Sequence, residues 1–326
     1  MKHKLLKKLL SIILVAAMLL QIAPTALKAE ASDVVAALTE GELSMEPQSG
    51  MSMIYEYYPF EVGAAGTAYV NLYLETIFIN RSDFSLDGER MPATVDFYFD
   101  ESNSFENNPY GAGWNNIYNQ QLCYDSDTEK YEYKDENGTW ISFVNSGEYD
   151  ETGREIWKED TLYGIGEVGL EMYRDTEVEG YTAITIVYGD LYYTFDTMGR
   201  LSKLASGLNE ITITYVSDTS TAIATITDPV GRSYVFEYTD GYLSNIYAKS
   251  SGGSTLYTLT YTMADGYLTQ ISYPDETTVS YAYDEANRVS RIINFDKCGY
   301  EITYGDSAIY VLKKRRWEWK KRQMVV

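Results

Sequence analysis

Short stretches of alternating apolar and polar residues dominate the chain after residue 53, and this period of two predicts β-strands. In the sharpest example, Val279, Tyr281 and Tyr283 alternate with small polar residues. Asp284 can close the turn that follows with its side chain, and Asn287 belongs to the few residue types that tolerate a positive φ. Apolar residues resume at once, so the pattern predicts strand, turn and strand.

Three upstream stretches repeat this pattern, each with an aspartate before the turn and an apolar residue after it. They are Phe195 to Leu204, Tyr238 to Ile246 and Tyr261 to Ile271. Gly199 occupies the position of Asn287, which supports a left-handed backbone there. The stretch from Tyr238 predicts a shorter turn, and the stretch from Tyr261 a longer one.

The spacing of these stretches indicates a repeat. The apolar residues after the turns, in chain order, are Leu201, Leu243, Leu268 and Val289. Their separations are 42, 25 and 21 residues, so the unit is close to 21 residues and the first interval spans two units. A second class of turn alternates with the first, at Asp228 to Arg232 and Pro274 to Thr277. A chain that turns at both ends of each strand pair forms a continuous antiparallel meander.

Residues 281–292 match the pattern Tyr-x-Tyr-Asp-x-x-Gly-Arg-Leu-x-x-Ile except at Asn287 and Val289, and residues 193–204 match with conservative changes. In these motifs the chain resembles the YD repeats of Rhs and wall-associated bacterial proteins, which also occur in animal teneurins. The clear resemblance covers about 190–305. A looser one extends to the region before the repeats, through Tyr110 to Trp114 and Asp135 to Trp140.

The resemblance implies that the repeats coil a long β-sheet into a hollow shell around a C-terminal effector, often a toxin delivered to neighbouring cells. We therefore expect an all-β fold: an antiparallel meander of hairpins that forms a curved partial shell, preceded by a β-rich region. About five units are too few for a closed shell, and no effector follows Gly305. The expectation is a truncated N-terminal portion of such a protein.

The N-terminus has the features of a secretory signal. Four lysines precede an apolar run from Leu9 to Leu20, and Ala29-Glu30-Ala31 is a small-x-small cleavage site before Ser32. The run is too short for a comfortable transmembrane helix, although an uncleaved anchor remains an alternative. We expect a protein that is secreted or extracellular, either free or associated with the cell wall. We expect no stable membrane span after the signal is cleaved.

We divide the chain into a signal (1–31), a flexible N-terminus (32–52), a β-rich region (53–189), the repeats (190–306) and a basic tail (307–326). Within the β-rich region, strands are predicted at 68–74, 76–79, 94–99, 117–124, 130–134, 140–144, 170–174 and 182–188, and a loop at 103–116. The basic tail fits either a frameshift product or a basic-aromatic patch for membrane or nucleic acid.

Composition excludes several function classes. The formal charge is −22, and basic residues concentrate at the two ends, so the acidic body should repel nucleic acid. His3 is the only histidine, which removes Ser-His and Cys-His nucleophile pairs and histidine metal sites from the mature chain. Cys123 and Cys298 form either a disulfide or two separate thiols. We predict no catalytic, cofactor-binding or metal residues, no cofactor, and no enzyme.

Several acidic, basic and aromatic residues allow a structural or a functional interpretation. Residues 125–129 faintly resemble a calcium loop, but a solvated turn is favoured because the loop lacks a turn glycine and a terminal bidentate glutamate. Turn capping is favoured over metal ligation for four aspartates, Asp196, Asp240, Asp265 and Asp284. Pairing with acidic turns or stacking on tyrosines is expected for three arginines, Arg200, Arg232 and Arg288. The repeat tyrosines pack the sheet in one interpretation and bind sugar in the other.

Three functions follow. The first is a secreted or cell-surface scaffold, part of a YD-repeat shell whose partner is the rest of a split shell. The second is a wall-associated protein that binds carbohydrate through exposed tyrosines, with strand 279–283 as the test. The third is a hydrolase with a pair of carboxylates.

Overall fold

The computed structural model describes residues 57–71, 76–85, 91–103, 108–160, 168–304 and 310–316. These residues are nearly all β, as predicted, and every strand pair is antiparallel. The helical segments among them are three 3₁₀ turns of three residues each, at Gly63–Ala65, Glu101–Asn103 and Tyr181–Ala183. The predicted signal (1–31), the predicted flexible N-terminus (32–52) and the end of the basic tail (317–326) lie outside the described residues.

The first sheet has five strands in chain order: β1 (Tyr57–Glu61), β2 (Thr67–Asn71), β3 (Ile77–Ser85), β4 (Thr94–Asp100) and β5 (Trp114–Asn116). We call it the five-stranded sheet. Successive side chains alternate between its faces. On β4, Val95, Phe97 and Phe99 are buried in the main core, while Asp96 and Tyr98 lie on the opposite face.

The second sheet, called the coiled sheet, contains eighteen strands that pair consecutively. They are β6 (Gln121–Asp125), β7 (Lys130–Lys134), β8 (Trp140–Tyr149), β9 (Glu155–Glu159), β10 (Glu171–Arg174), β11 (Ile184–Tyr188), β12 (Leu191–Phe195), β13 (Leu201–Ser206), β14 (Asn209–Tyr215), β15 (Ile223–Thr227), β16 (Ser233–Thr239), β17 (Tyr242–Lys249), β18 (Thr255–Ala264), β19 (Tyr267–Ser272), β20 (Thr278–Tyr283), β21 (Val289–Ile293), β22 (Cys298–Tyr304) and β23 (Tyr310–Arg316).

The coiled sheet winds back on itself without closing. A bridge joins Gln121 at the start of β6 to Arg200, just before β13. Beside it, the Leu122 amide donates to the Gly199 carbonyl at 2.7 Å, and the Leu201 amide donates to the Gln120 carbonyl at 3.1 Å. No ladder joins β6 to β23 within the described residues. The coiled sheet therefore completes one turn of a coil where β13 meets the start of β6. The later strands continue beyond that point.

A recurring β-bulge accompanies this curvature. The ladder shifts register just before the last core-facing residue of a strand in five hairpins, and these residues are Phe195, Tyr215, Tyr238, Met263 and Tyr283. A bulge bends its strand and increases the local twist. Five bulges at one position per unit give the sheet a consistent curvature.

The main core lies between the coiled sheet and the inner face of the five-stranded sheet, and one continuous cluster contains apolar residues of both. Trp114 is fully buried and its ring lies 5.0 Å from that of Tyr281. Phe97 packs on Tyr110 and Tyr261 at 5.6 and 6.2 Å. Because large aromatic side chains bury the most area, this contact holds the two sheets together.

Several predicted boundaries need correction. The predicted loop at 103–116 contains β5, whose short strand pairs with β4 through Trp114. The strand predicted at 117–124 begins only at Gln121, and β8 continues past residue 144 to Tyr149. The division at 189/190 falls inside the β11–β12 hairpin, so it marks a change of sequence pattern and not of sheet.

The first part of the predicted basic tail belongs to the meander. Residues 310–316 form β23, which pairs with β22 over seven residues. The Arg315 guanidinium contacts the Glu301 carboxylate at 2.9 Å across this pair. Opposite charges on facing strands favour the pairing.

Candidate functional site

Four turns in the coiled sheet share one geometry, in which an aspartate caps a five-residue turn that ends in arginine. One aspartate oxygen accepts the amides two and four residues later, and the other accepts the arginine Nε at 2.6 to 2.9 Å. The pairs are Asp150–Arg154, Asp196–Arg200, Asp228–Arg232 and Asp284–Arg288. The predicted pairing of Arg200, Arg232 and Arg288 with acidic turns is confirmed.

Three of these four arginines stack on a tyrosine: Arg154 on Tyr173, and two of the three for which stacking was predicted, Arg200 and Arg288. The Arg200 guanidinium lies 4.2 Å from the ring centre of Tyr215, and Arg288 lies 4.0 Å from that of Tyr304. Burial alone would raise the pKa of Asp284, but its hydrogen bonds to Arg288 lower it below the ordinary value. The aspartate is held ionised as a structural acceptor, so it is not poised to act as an acid.

Asn287 and Gly199 hold the left-handed position that the sequence predicts for them, with φ of 64° and 77°. A Cβ on Gly199 would lie 2.1 Å from the carbonyl oxygen of Leu122. Glycine is required at position 199 for two reasons. The backbone has a positive φ, and β6 approaches too closely to leave room for a side chain.

Asp240 and Asp265 were predicted to cap turns as Asp196 and Asp284 do, and this is wrong. Both lie inside two-residue Asp-Gly turns with φ of 53° and 52°, followed by glycines at 85° and 84°. Positive φ at both central residues is the tight hairpin geometry that Asp-Gly favours. The predicted longer turn after Tyr261 is therefore as short as the one after Tyr238.

A tyrosine hydroxyl links each of four repeat units to the preceding unit. The hydroxyls of Tyr215, Tyr238, Tyr283 and Tyr304 donate to the carbonyls of Leu201, Ile223, Leu268 and Val289 at 2.8 to 3.0 Å. Each acceptor is the first buried strand residue after the preceding turn. Tyr215 and Ile223 supply the unit missing from the 42-residue interval, which confirms that this interval spans two units.

Residues 108–122, here the crossing segment, run across several of these turns. The Leu243 amide donates to the Pro109 carbonyl at 2.7 Å, and the Ala112 amide donates to the Gly266 carbonyl at 2.9 Å. The Ile223 amide donates to the Tyr110 hydroxyl at 3.1 Å, and burial raises the pKa of Tyr110 to about 12. The crossing segment thus provides hydrogen-bond partners for backbone groups near the repeat turns that no neighbouring strand can reach.

A buried ion pair joins the two sheets at the centre of the core. Arg81 on β3 donates to Asp83 from Nε at 2.6 Å, and neither side chain is more than 1% exposed. The guanidinium lies 4.4 Å from the Trp114 ring centre. Tyr261 donates to Asp83 at 2.6 Å, and Tyr281 donates to the Ala65 carbonyl at 2.7 Å. Every strong acceptor and donor here has a partner, so the cluster is structural.

These contacts decide between the two interpretations of the repeat tyrosines. Tyr281 is 3% exposed, and the Tyr283 hydroxyl also accepts the Trp114 indole N–H at 3.1 Å. Strand 279–283 therefore cannot present its tyrosines to a sugar. The tyrosines pack the sheet, and the proposal that they bind carbohydrate through this strand is wrong.

A cleft of about 570 Å³ opens on the outer face of the five-stranded sheet. We call it the outer cleft. Its lining combines amide, hydroxyl, carboxyl and aromatic side chains, among them Thr67, Tyr69, Asn80, Ser82, Asp96, Tyr98, Glu136 and Asn137. Glu136 and Asn137 come from the turn between β7 and β8, which reaches over the face from the coiled sheet. Sequence analysis missed this site, because its residues belong to strands far apart in the chain.

Asp96 has the most unusual environment in the outer cleft. Its Oδ2 accepts the Thr94 hydroxyl at 2.6 Å, while its Oδ1 is buried and has no hydrogen bond. Burial raises the pKa of Asp96, an effect that the hydroxyls of Ser82 and Thr94 partly offset. Asp96 and Glu136 both add to the effect of burial on nearby Tyr118, whose pKa rises to about 12. Asp96 and Glu136 are the two carboxyl groups in the lining of the cleft.

The other sequence candidates do not assemble into a site. Asp125 accepts the Asp127 amide and the Thr128 hydroxyl, as a solvated turn requires. Cys123 and Cys298 are separate free thiols. No group of three or more potential metal-ligating side chains occurs in the described part of the chain, and His3 lies outside it. The described residues also contain no helix with the length and apolar composition needed to cross a membrane.

Comparison with known proteins shows weak structural similarity and no match in sequence. No family model matches the chain, and no curated protein matches its sequence. The chain is similar to the N-terminal domain of the effector protein SpvB from Salmonella typhimurium strain LT2, a solved structure, with 10% identity and a TM-score of 0.28. The match covers 73% of this chain and 99% of that one. Values this low carry no argument about fold or function.

Proposed function

We propose that this protein is an exported structural scaffold of YD-type repeats, part of a shell that would enclose and help deliver an effector. The observation that carries the proposal is the hydroxyl bond between consecutive units, which occurs four times with the same donor and acceptor positions. A contact that recurs in this way stiffens the coil at each of the four steps where it occurs. The tyrosine hydroxyls in these bonds stabilise the shape of the sheet and are not available to bind a ligand.

The other regular features support the same role. Five bulges bend the sheet in one direction, and four Asp–Arg turns fix its loops. Units that contact mainly their neighbours let a solenoid-like sheet grow by addition. In this proposal, further strands of the same kind extend the coil to enclose a cargo.

Export is tested by expressing the full chain in a bacterial host and sequencing the N-terminus of the protein in the medium. The proposal expects the mature protein to begin at Ser32, after the predicted cleavage site. Retention in the cytosol with residues 1–31 intact would contradict export.

The scaffold role is tested by protease resistance of the full chain. We expect the coiled sheet to resist a broad-specificity protease, because local opening of a tightly bonded sheet is rare. A variant with Tyr215→Phe, Tyr238→Phe and Tyr304→Phe should be cut faster. Tyr192→Phe, which alters an exposed tyrosine on β12, is the matched control and should behave as the native chain. Equal resistance of the triple variant would contradict the role given to the hydroxyls.

A further inference from the structure

We propose that the open edge of β23 binds an acidic β-strand of a separate polypeptide, by antiparallel addition of that strand to the coiled sheet. The inference rests on the scaffold role and deepens it, because it names the strand through which this chain joins the rest of a shell. It also states the chemistry of the strand that is joined.

The first argument is the unpaired backbone of β23. One edge of this strand forms a ladder with β22 over residues 310–316, and the other edge forms no ladder in the part of the chain that the structure describes. An edge strand presents a row of N–H and C=O groups that can pair with another strand. Peptides that bind in this way gain affinity from backbone hydrogen bonds. β23 therefore offers a template for one further strand.

The second argument is continuity with the meander. Tyr310 and Leu312 on β23 lie opposite Tyr304 and Ile302 on β22, and Ile302 is buried in the main core. Successive residues of a strand belong to opposite faces of its sheet, so β23 keeps the alternation of the strands before it. A strand added to the open edge would meet the same two faces and would extend the coil.

The third argument is charge. Residues 313–316 are four cations in succession, in a chain whose formal charge is −22. Glu301 and Asp296 neutralise part of this charge, Glu301 through a contact with Arg315 at 2.9 Å. Residues 314–316 are all exposed. Opposite charges on facing strands stabilise their pairing, and like charges destabilise it. The open edge therefore favours a strand with carboxylates opposite these cations.

The same two features disfavour other occupants. A second copy of β23 would place lysine and arginine opposite lysine and arginine, which is repulsive. Anionic lipids and nucleic acids could use the cations, but they would leave the backbone edge unpaired. An acidic strand satisfies both the backbone and the charges. Its carboxylates would lie about 5 Å from the facing residues, which is shorter than the Debye length of about 8 Å at physiological ionic strength.

The binding test uses the full chain and a fluorescent peptide that carries glutamate opposite residues 313–316. Isoleucine, threonine and tyrosine stand opposite residues 312, 311 and 310, as they do in β22. We expect fluorescence anisotropy to give a dissociation constant of about 1 mM or tighter at physiological ionic strength. The same peptide with lysine in place of glutamate should bind about tenfold more weakly or worse. No binding of the acidic peptide, or equal binding of both, would overturn the proposal.

Methylated peptides separate strand addition from the attraction of charge alone. One acidic peptide is methylated on the amide nitrogens of one alternate set of residues, and a second peptide on those of the other set. Only one of these sets faces β23 in the added strand, so one peptide should lose binding and the other should keep it. Equal affinity of the two peptides would show that the edge backbone takes no part, and strand addition would be wrong.

Two variants locate the site. Lys314→Glu should weaken binding of the acidic peptide about threefold or more, and a peptide with lysine opposite position 314 should restore it, because the charge pair is reversed. Lys249→Glu is the matched control, since Lys249 lies on β17, which is paired along both edges, and it should bind as the native chain does. Equal effects of the two variants would contradict binding at β23.

Two further results would assign the edge to another occupant and overturn the proposal. One is binding of phosphatidylglycerol vesicles, weakened by Lys314→Glu, when the acidic peptide does not bind. The other is a dimer of the full chain, seen by native mass spectrometry, that the acidic peptide dissociates. Failure of the peptide to bind would leave the expected export and protease resistance unchanged, so it would refute the docking edge separately from the scaffold role.

Discussion

The five-stranded sheet and the repeat part of the coiled sheet share one core, but their contacts have different ranges along the chain. In the repeat part, a tyrosine hydroxyl reaches a carbonyl only 14 or 15 residues earlier, and the same contact recurs in unit after unit. The five-stranded sheet depends on single contacts between distant residues. Tyr261 donates to Asp83 across 178 residues, and Trp114 donates to Tyr283 across 169.

This difference indicates how each region should respond to damage. Loss of one repeat contact removes only one of several equivalent contributions to the free energy of unfolding. The stability of a repeat protein is close to a sum of contributions from its units and from the contacts between neighbouring units. Loss of a unique contact at the junction of the sheets leaves buried groups with no substitute partner. The largest effects of mutation should therefore lie in the five-stranded sheet.

Arg81→Met should have the largest effect. It leaves Asp83 charged and buried, and breaking a buried pair on one side costs about 3–5 kcal/mol. The free energy of unfolding from chemical denaturation measures this loss. Arg288→Met is the control, because it breaks an Asp–Arg ion pair in a more exposed turn of the repeats and should cost far less. Equal losses would remove the contrast between the two regions.

Gly199→Ala should follow in size. A left-handed backbone costs a non-glycine residue about 1–2 kcal/mol, and the added Cβ would also collide with the Leu122 carbonyl. Gly241→Ala has a similar φ and nothing within 4 Å, so it should show the backbone cost alone. If thermal denaturation shows the same loss for both, β6 does not pack against this turn as described.

Tyr215→Phe should cost about 0.5–1.5 kcal/mol, the net value of one hydrogen bond. The ring remains, so packing against Arg200 is kept. Tyr192→Phe, at an exposed position, should cost nothing measurable in the same denaturation experiment. A loss above about 3 kcal/mol for Tyr215→Phe would show that the repeat contacts are not incremental.

Glu101→Gln should have the smallest effect, and one that depends on pH. Burial raises the pKa of Glu101, an effect that its bond from the Ile77 amide partly offsets. A raised folded-state pKa contributes stability that is present below the ordinary value of 4.5 and is lost as pH rises through the folded-state value. The variant should therefore be the more stable protein at neutral pH, with the difference shrinking or reversing on acidification. A difference that is constant with pH would contradict the raised pKa.

Sequence reasoning succeeded where the physical cause is local. The positive φ of Gly199 and Asn287 and the aspartate caps at Asp196 and Asp284 follow from residue types within one turn. The cap at Asp150 has the same Asp-x-x-Gly-Arg letters and was missed, because it lies before the region where the repeat spacing is regular.

Non-local features could not be predicted from the sequence in the same way. Nothing near Arg81 indicates that Trp114 and Tyr281 will surround it, since these residues meet only when the two sheets pack. The outer cleft is a similar case, because β2, β3, β4 and the turn before β8 each contribute part of its wall. The prediction for Asp240 and Asp265 failed for a different reason. All four aspartates follow a strand, but where glycine comes directly after the aspartate the chain forms a tight two-residue hairpin and not a capped turn.

Residue-resolved amide hydrogen exchange tests most directly that the crossing segment holds the N-terminal half against the repeat turns. Leu201 and Leu243 lie close behind their turns, and their amides donate to the carbonyls of Gln120 and Pro109. The account predicts that both amides exchange as slowly as amides at the centres of β13 and β17. Exchange at the rate of exposed turn amides would show that the crossing segment does not dock there, and would contradict the arrangement of the two sheets.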